Sequence, residues 1–335
     1  MRKLFLTILL TSVAFLATAQ EKRMAVVQTS TCYMRAQPDY ESALETQELM
    51  GTVVEIVGEN GYWREIISPQ PYQAWATEKT LVEMSKAQIE EYEKAPKYIF
   101  TAAYGHVLTV PHETGSTITD LVGGDVLRVV EKEQVSPTGK HGEWVEVMLP
   151  DGRTGWTYRK DVKILGERIN IRKGDPSEGL ISADKMEAII AAAQKLSGVP
   201  YLWGGMSHKG VDCSGLVRIS FLMNDILLPR NASQQAFCGK EIEVSRPDIN
   251  GKTQVEVKEN YDREKALNAI KNLQRGDLVF FGNTETGRIT HVGIYLGNGN
   301  MIHSSHLVRV NSLIPGDENY YENAHRLIRA CRLCY

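Results

Sequence analysis

The sequence predicts two small all-β barrels followed by one α+β domain, and three observations carry that prediction. First, a weak internal repeat fills the first half. Gly61-Tyr62-Trp63-Arg64-Glu65-Ile66 precedes Ala74-Trp75-Ala76, and Gly142-Glu143-Trp144-Val145-Glu146-Val147 precedes Gly155-Trp156-Thr157. The two tryptophans of each copy lie twelve positions apart. An apolar strand leads into each copy, Val53-Val54-Glu55-Ile56-Val57 and Val126-Leu127-Arg128-Val129-Val130. Short strands, Gly/Pro turns and the absence of a helical period argue for small barrels. Second, the period changes at Ala183: Met186, Ile189, Ile190 and Ala193 share one helical face, continued by Leu196 and ended by Gly198-Val199-Pro200. Third, another helix-like run (Leu216, Ile219, Met223) is followed by at least three strand-like segments, 277–282, 291–296 and 301–310. Helices first and an antiparallel sheet after make an α+β domain.

In chain order, 1–19 reads as a secretory signal peptide. Arg2 and Lys3 are followed by a mostly apolar 4–16 and the small-residue site Ala17-Thr18-Ala19. That apolar core is too short to span a bilayer, and no other stretch is long enough. No cysteine follows the cleavage site to carry a lipid. The chain is therefore expected to be exported, periplasmic or extracellular in a bacterium. The first barrel is placed at 24–84 and the second at 97–165, with a Glu- and Lys-rich connecting helix at 84–96. A linker at 166–182 leads to the last domain, 183–335. At 335 residues and a net charge of −3, with no long basic run, the chain does not suggest nucleic acid as a partner. A monomer is expected.

The chemistry centres on Val211-Asp212-Cys213-Ser214-Gly215-Leu216. Cys213 stands at the start of a helix, where amide N–H groups and the dipole favour an anion, so its thiol is expected to ionise more easily than a free one. Thr290-His291-Val292-Gly293-Ile294-Tyr295 and Met301-Ile302-His303 follow. Cys, then His, then a further polar residue is the papain-type order of a cysteine hydrolase. If Gly297-Asn298-Gly299 forms a three-residue hairpin loop, Leu296 faces Asn300 and His303 lies opposite Gly293. His291 and His303 then share a face as diagonal neighbours. His291 is assigned as general base and His303 as the group that fixes its tautomer. A zinc site from His291, His303 and His306 is disfavoured because no Asp or Glu with ligand spacing stands near, and no cofactor is expected. Five cysteines, Cys32, Cys213, Cys238, Cys331 and Cys334, leave one unpaired, as a reactive thiol would. Cys331 and Cys334 lack the second Cys-x-x-Cys of a zinc site and a thioredoxin-like context. They are read as packed terminal residues or as partners of Cys32 or Cys238.

Two resemblances sharpen this. The repeats resemble bacterial SH3-like domains, whose signature is Trp-x-x-Val followed by Gly-x-x-Gly-Trp-Val. The second copy matches through Asp151-Gly152-Arg153-Thr154-Gly155-Trp156, and the first carries Ala74 at the second glycine. From 183 onward, Tyr201-Leu202-Trp203-Gly204-Gly205, Asp212-Cys213-Ser214-Gly215, Leu228-Pro229-Arg230 with Ser233 and Gln235, Gly276-Asp277-Leu278-Val279-Phe280-Phe281, and both histidine segments look like the NlpC-type papain-like cell-wall cysteine peptidases. With two SH3-like barrels in front, the chain resembles the γ-D-glutamyl-L-diamino acid endopeptidases that process murein stem peptides.

The resemblance implies that Cys213 attacks the γ-amide carbonyl of D-glutamate and that His291 protonates the departing amine. The Cys213 N–H and the Tyr201 hydroxyl would steady the oxyanion. It gives Asp212 and Ser214 to the free amine of the substrate's N-terminal L-alanine, with helix capping as the alternative for Asp212. Ser233 is placed in the same pocket or in a turn, Tyr72 as a contact from the first barrel, and Trp203 in a wall or the core. The family also uses an acidic residue of the first barrel; a simple alignment puts Ala43 there, with Glu45 nearby. The first barrel would close one end of the cleft, so that peptides with a free N-terminal L-alanine fit, as in recycling of released wall peptides. The rival readings are an N-acetylmuramoyl-L-alanine amidase, which must admit glycan, a non-catalytic cell-wall binding protein, and an acyltransferase. The retained Tyr201, Cys213, His291 and His303 argue against a binding protein, and the polar Ser233-Gln234-Gln235 does not suggest the greasy channel of an acyltransferase.

Overall fold

The computed structural model describes residues 22–130, 142–174, 181–246 and 254–333. The expected signal peptide and Cys334 lie outside the described residues, as does part of the expected linker.

The first half holds two seven-stranded antiparallel sheets. The first runs in the order Leu44–Leu49, Thr31–Arg35, Tyr72–Thr77, Trp63–Ser68, Val53–Asn60, Arg23–Val27, Leu81–Met84. The second runs Thr117–Val122, Tyr104–Leu108, Thr154–Tyr158, Trp144–Met148, Val126–Val129, Lys97–Phe100, Val162–Ile164. The two orders are the same when each sheet's strands are counted in sequence. The tryptophan repeat therefore reports a duplicated topology: Trp63 and Trp144 open the same strand, and Trp75 and Trp156 lie on its partner. Each sheet closes over its own core, Val54, Ile66 and Ala76 in one, Phe100, Leu121 and Val147 in the other. The helix Lys86–Lys94 joins them, started by a capping box in which Ser85 and Gln88 satisfy each other's backbone N–H.

The last domain is α+β. Its antiparallel sheet has six strands, in the order Lys240–Ile242, Leu327–Arg332, Leu278–Gly282, Ile289–Gly297, Asn300–Ser305, Leu307–Ser312. The strand Leu278–Gly282 is one continuous apolar run because both faces are covered. Leu278 and Phe280 meet the helices Ala183–Lys195 and Cys213–Leu222. Val279 and Phe281 join a second cluster with Ala266 and Ile270 of the helix Arg263–Ile270.

Two expectations are corrected here. The single strand at 301–310 is two strands, since His306 adopts a left-handed φ of 63° and reverses the chain. The hairpin before it turns through Asn298-Gly299: Gly297 faces Asn300 and Leu296 bulges out. The bulge restores the count, so Ile294 faces Ile302 and the register beyond is the one the longer loop gives.

The described start of the expected 166–182 linker is tied to both neighbours. Ile169 pairs in parallel with Ile226, and the Gln70 side-chain amide of the first sheet donates to the Ile171 carbonyl. The first sheet also docks its edge strand Leu44–Leu49 on the last domain. Thr46, Gln47 and Glu48, all polar, are buried there. Gln47 Oε1 accepts from the Met206 N–H at 2.9 Å, and Glu48 pairs with the buried Arg218 at 3.2 Å. At a second junction Lys209 of the last domain pairs with Asp120 of the second sheet, and both contact Ser30 of the first. Cys32, Cys238 and Cys331 are buried thiols, so of the two readings for Cys331 the packed one is present; Cys32 contacts Thr80 within the first sheet.

Candidate active site

Cys213 opens the helix Cys213–Leu222, and Asp212 caps it by accepting the Gly215 N–H at 2.7 Å. Gly215 must be glycine: a Cβ there would lie 2.1 Å from the Gly205 carbonyl oxygen. This close approach draws the Tyr201–Gly205 segment over the helix start. Tyr201 is anchored by its N–H to the His306 carbonyl at 2.8 Å. The Cys213 thiol lies against the histidine strand, where the Val292 amide reaches its sulfur.

The thiol is not easier to ionise than a free one. Burial, and then the Asp212 carboxylate, push it up to about 12, while the Val292 and Ser214 amides pull weakly the other way. The helix start supplies favourable amides, but with Cys213 8% exposed the loss of water outweighs them. Burial also pushes His291 down to about 3, helped by His303. Burial thus disfavours the charged form of both groups, the thiolate and the imidazolium.

The two histidines meet. His291 Nε2 lies 2.7 Å from His303 Nδ1, and His303 Nε2 lies 2.9 Å from Asn311 Oδ1. Asn311 Nδ2 donates to the Asn319 carbonyl at 2.6 Å. The chain of bonds has one direction. Asn319 fixes the Asn311 amide, whose oxygen then requires Nε2–H on His303. That leaves His303 Nδ1 as an acceptor for Nε2–H of His291, and His291 Nδ1 as a bare base. The Tyr321 ring packs at 4.9 Å from His303 and 5.7 Å from His291, centroid to centroid, and Phe281 covers His291 at 6.0 Å. Neither Asn311 nor Tyr321 was picked out by sequence. Asn311 is two residues past the partner of His303 in the last hairpin, a diagonal neighbour on the same face. Reading 301–310 as one strand hid that hairpin.

Both histidines are held neutral against an ordinary value of 6.5, His303 down to about 4 by burial despite its bond to Asn311. The unfolded chain takes up protons as pH falls through 6.5, and the folded chain does not until about 4 and about 3. Their contribution to stability is therefore complete above 6.5 and lost on the way down to about 4, at up to about 1.4 kcal/mol per pH unit for each. Urea midpoints at pH 7.0, 5.5 and 4.5 should fall more steeply for the wild type than for His303→Gln. Parallel slopes would show that the pair is not held neutral by burial.

Cys213, Tyr201, Asp212, Ser214, Ser233 and Tyr72 line one cleft of about 640 Å³, with Trp203 on its exposed rim. Asp212 and Ser214, both expected at a ligand amine, line the cleft and are also bonded within the protein, the capping alternative for Asp212 being present. Arg230, 1% exposed, holds Asp212 through two nitrogens and donates to Ser214 Oγ at 2.9 Å. Asp212 further accepts the Gly204 N–H at 2.9 Å and the Ser214 hydroxyl at 3.1 Å. Capping and internal pairing use its carboxylate. The carboxylate that the first sheet brings to the cleft is Glu45, which accepts the Tyr72 hydroxyl at 2.6 Å. Gly204, at φ +76°, packs so closely on the Glu45 backbone that a Cβ would come within 3.1 Å of it.

Residues 198–329 match the NlpC/P60 family. Two γ-D-glutamyl-L-lysine dipeptidyl-peptidases are 26% identical to the chain. The Bacillus cereus protein aligns over 81% of this chain and 70% of its own length, the Bacillus subtilis protein over 87% and 82%. A bifunctional muramidase/DL-endopeptidase of Bacillus subtilis is 37% identical over 46% of this chain and 40% of its own. The crystal structure of an NlpC/P60 family protein from Bacillus cereus superposes over 92% of this chain and 99% of its own with a TM-score of 0.67 at 20% identity, a likeness of fold.

Proposed function

We propose, for a chain whose residues 198–329 form a cysteine peptidase domain of the NlpC/P60 family, that it cleaves the γ-D-glutamyl–diamino acid bond of murein stem peptides with a free N-terminal L-alanine. One observation carries the reading: Glu45 and Tyr72 of the first, SH3-like sheet line the same cleft as Cys213. A carboxylate held by a phenol in a cysteine peptidase cleft suits an ammonium group, and a wall supplied there by the first barrel would exclude glycan. The names of the two relatives matched over most of the chain point the same way. The expected signal peptide makes this an exported enzyme.

In this reading Sγ of Cys213 attacks the γ-amide carbonyl while His291 Nδ1 takes the thiol proton. Attack and proton transfer are coupled because burial disfavours both the free thiolate and the imidazolium. The imidazolium then protonates the departing amine, and water activated by His291 hydrolyses the acyl-enzyme. His303, itself aimed by Asn311, keeps Nδ1 of His291 bare. The Cys213 N–H and the Tyr201 hydroxyl face the oxyanion, each such donor being worth about 10²–10³ in rate. Burial raises the Tyr201 pKa, so the hydroxyl remains a donor. Asp212 serves as a cap and a positioning residue, and the exposed Ser233 lies on the cleft wall.

The test uses protein beginning at Gln20 and the Cys213→Ala variant, each mixed with L-Ala-γ-D-Glu-meso-diaminopimelate and with the same peptide blocked at its amine. Mass spectrometry should find L-Ala-D-Glu from the free peptide alone, and none with Cys213→Ala. Equal cutting of both peptides would remove the amine gate. Cutting of neither would restore the amidase and binding-protein readings.

A further inference from the structure

Four charged side chains line the cleft: Glu45, Asp212, Arg230 and Arg288. Asp212 and Arg230 are buried and neutralise each other. Two charges remain for a ligand, one of each sign. Glu45 comes from the first sheet. Arg288 comes from the turn that leads into the strand Ile289–Gly297 and stands three residues before His291. Its side chain is exposed and makes no ion pair among the described residues.

The turn that carries Arg288 is firmly built. Asn283 Oδ1 accepts the N–H groups of Glu285 and Thr286 at 2.9 and 2.8 Å. The Asn283 N–H donates to the Arg288 carbonyl at 2.9 Å, and Gly287 takes the left-handed φ of 70° that closes the loop. A fixed backbone therefore places on the cleft wall an exposed arginine that has no ion pair among the described residues. That is the geometry of a carboxylate receptor, since a guanidinium pairs with carboxylate through two parallel N–H donors.

We infer that Arg288 is a specificity residue that binds a substrate carboxylate, so that the cleft reads a zwitterion: ammonium at Glu45, carboxylate at Arg288. The inference rests on the peptidase reading above and names the charge pattern of its substrate. A γ-linked D-glutamate keeps its α-carboxylate free, and a diamino diacid brings a carboxylate that lysine lacks. Either group offers the same chemistry to Arg288.

Three peptides separate the sources: L-Ala-γ-D-Glu-L-Lys, its analogue with the glutamate α-carboxylate amidated, and L-Ala-γ-D-Glu-meso-diaminopimelate. The wild type should prefer the carboxylate-bearing member of one pair by about tenfold or more in kcat/KM. Arg288→Gln should lose that ratio through KM, and Arg288→Lys should keep part of it, which a disturbed turn would not do. A loss confined to the amidation pair assigns the D-glutamate carboxylate; a loss confined to the lysine–diacid pair assigns the diamino diacid. Unchanged ratios in both pairs, or an equal fall on all three peptides, would overturn the assignment. A wild-type protein that leaves all three intact defeats the peptidase reading itself and this one with it.

Discussion

Replacing Arg230 by alanine should destabilise the protein by about 3–5 kcal/mol, because it leaves a carboxylate buried without its partner. The guanidinium donates from Nε to Thr46 Oγ1 at 2.7 Å, from Nη1 to Asp212 and Ser214, and from Nη2 to Asp212 at 2.5 Å. Asp212 is 7% exposed, and the hydrogen bonds left to it, from two backbone amides and one hydroxyl, do not replace a full positive charge. The variant should therefore unfold at a lower urea concentration with an unchanged m-value. The cause can be separated from lost volume. Arg230→Met fills the space but leaves Asp212 charged, whereas Arg230→Met combined with Asp212→Asn removes both charges. The double variant should recover a good part of the loss, since the penalty lies in the orphaned charge. A double variant no more stable than Arg230→Met alone, or a loss below about 1 kcal/mol for Arg230→Ala, would show that the pair does not hold the site together.

Where sequence reading succeeded, a local rule set the geometry. Alternation along the histidine strand and a count across Gly297-Asn298-Gly299 placed His303 opposite Gly293, and the observed bulge at Leu296 leaves that register intact. The tryptophan repeat was legible because both sheets use it at the same point of one strand order. The helix face of Met186, Ile189, Ile190 and Ala193 followed from period alone, and all four are buried. What stayed hidden depends on contacts far apart in sequence. The Thr46–Arg230 bond spans 184 positions, and no local pattern announces that a polar edge strand will be buried against another domain. The direction of the thiol shift was missed for a related reason. Helix starts are legible in sequence, but the burial that outweighs the dipole is a property of the assembled site. Asn311 was lost to one left-handed residue, His306, inside what reads as an unbroken strand.

Glu45→Gln should lower kcat/KM for the free-amine peptide by about 10- to 100-fold and narrow its advantage over the blocked peptide by the same factor. The glutamine keeps the shape and one acceptor oxygen but removes the charge, and a charge-assisted bond to an ammonium is roughly twice as strong as a neutral one. Tyr72 makes the substitution informative. Burial, and then Glu45 itself, push the phenol up to about 12, so throughout the working range it donates to one carboxylate oxygen and leaves the other to the ligand. Tyr72→Phe should then cost less than Glu45→Gln, since the charge remains and only its aim is lost. The same logic fixes a pH limit. A peptide α-amine loses its proton near 7.7–8.0, so the advantage of the free peptide should shrink above pH 8 in the wild type and be flat in Glu45→Gln. An unchanged free-to-blocked ratio in Glu45→Gln would take amine recognition away from this carboxylate. Glu45 precedes Thr46, the residue clamped by Arg230 Nε, so the two predictions are coupled. Arg230→Met should weaken the preference for a free amine even where it folds, because the carboxylate proposed to bind the amine is carried by one domain and aimed by the other.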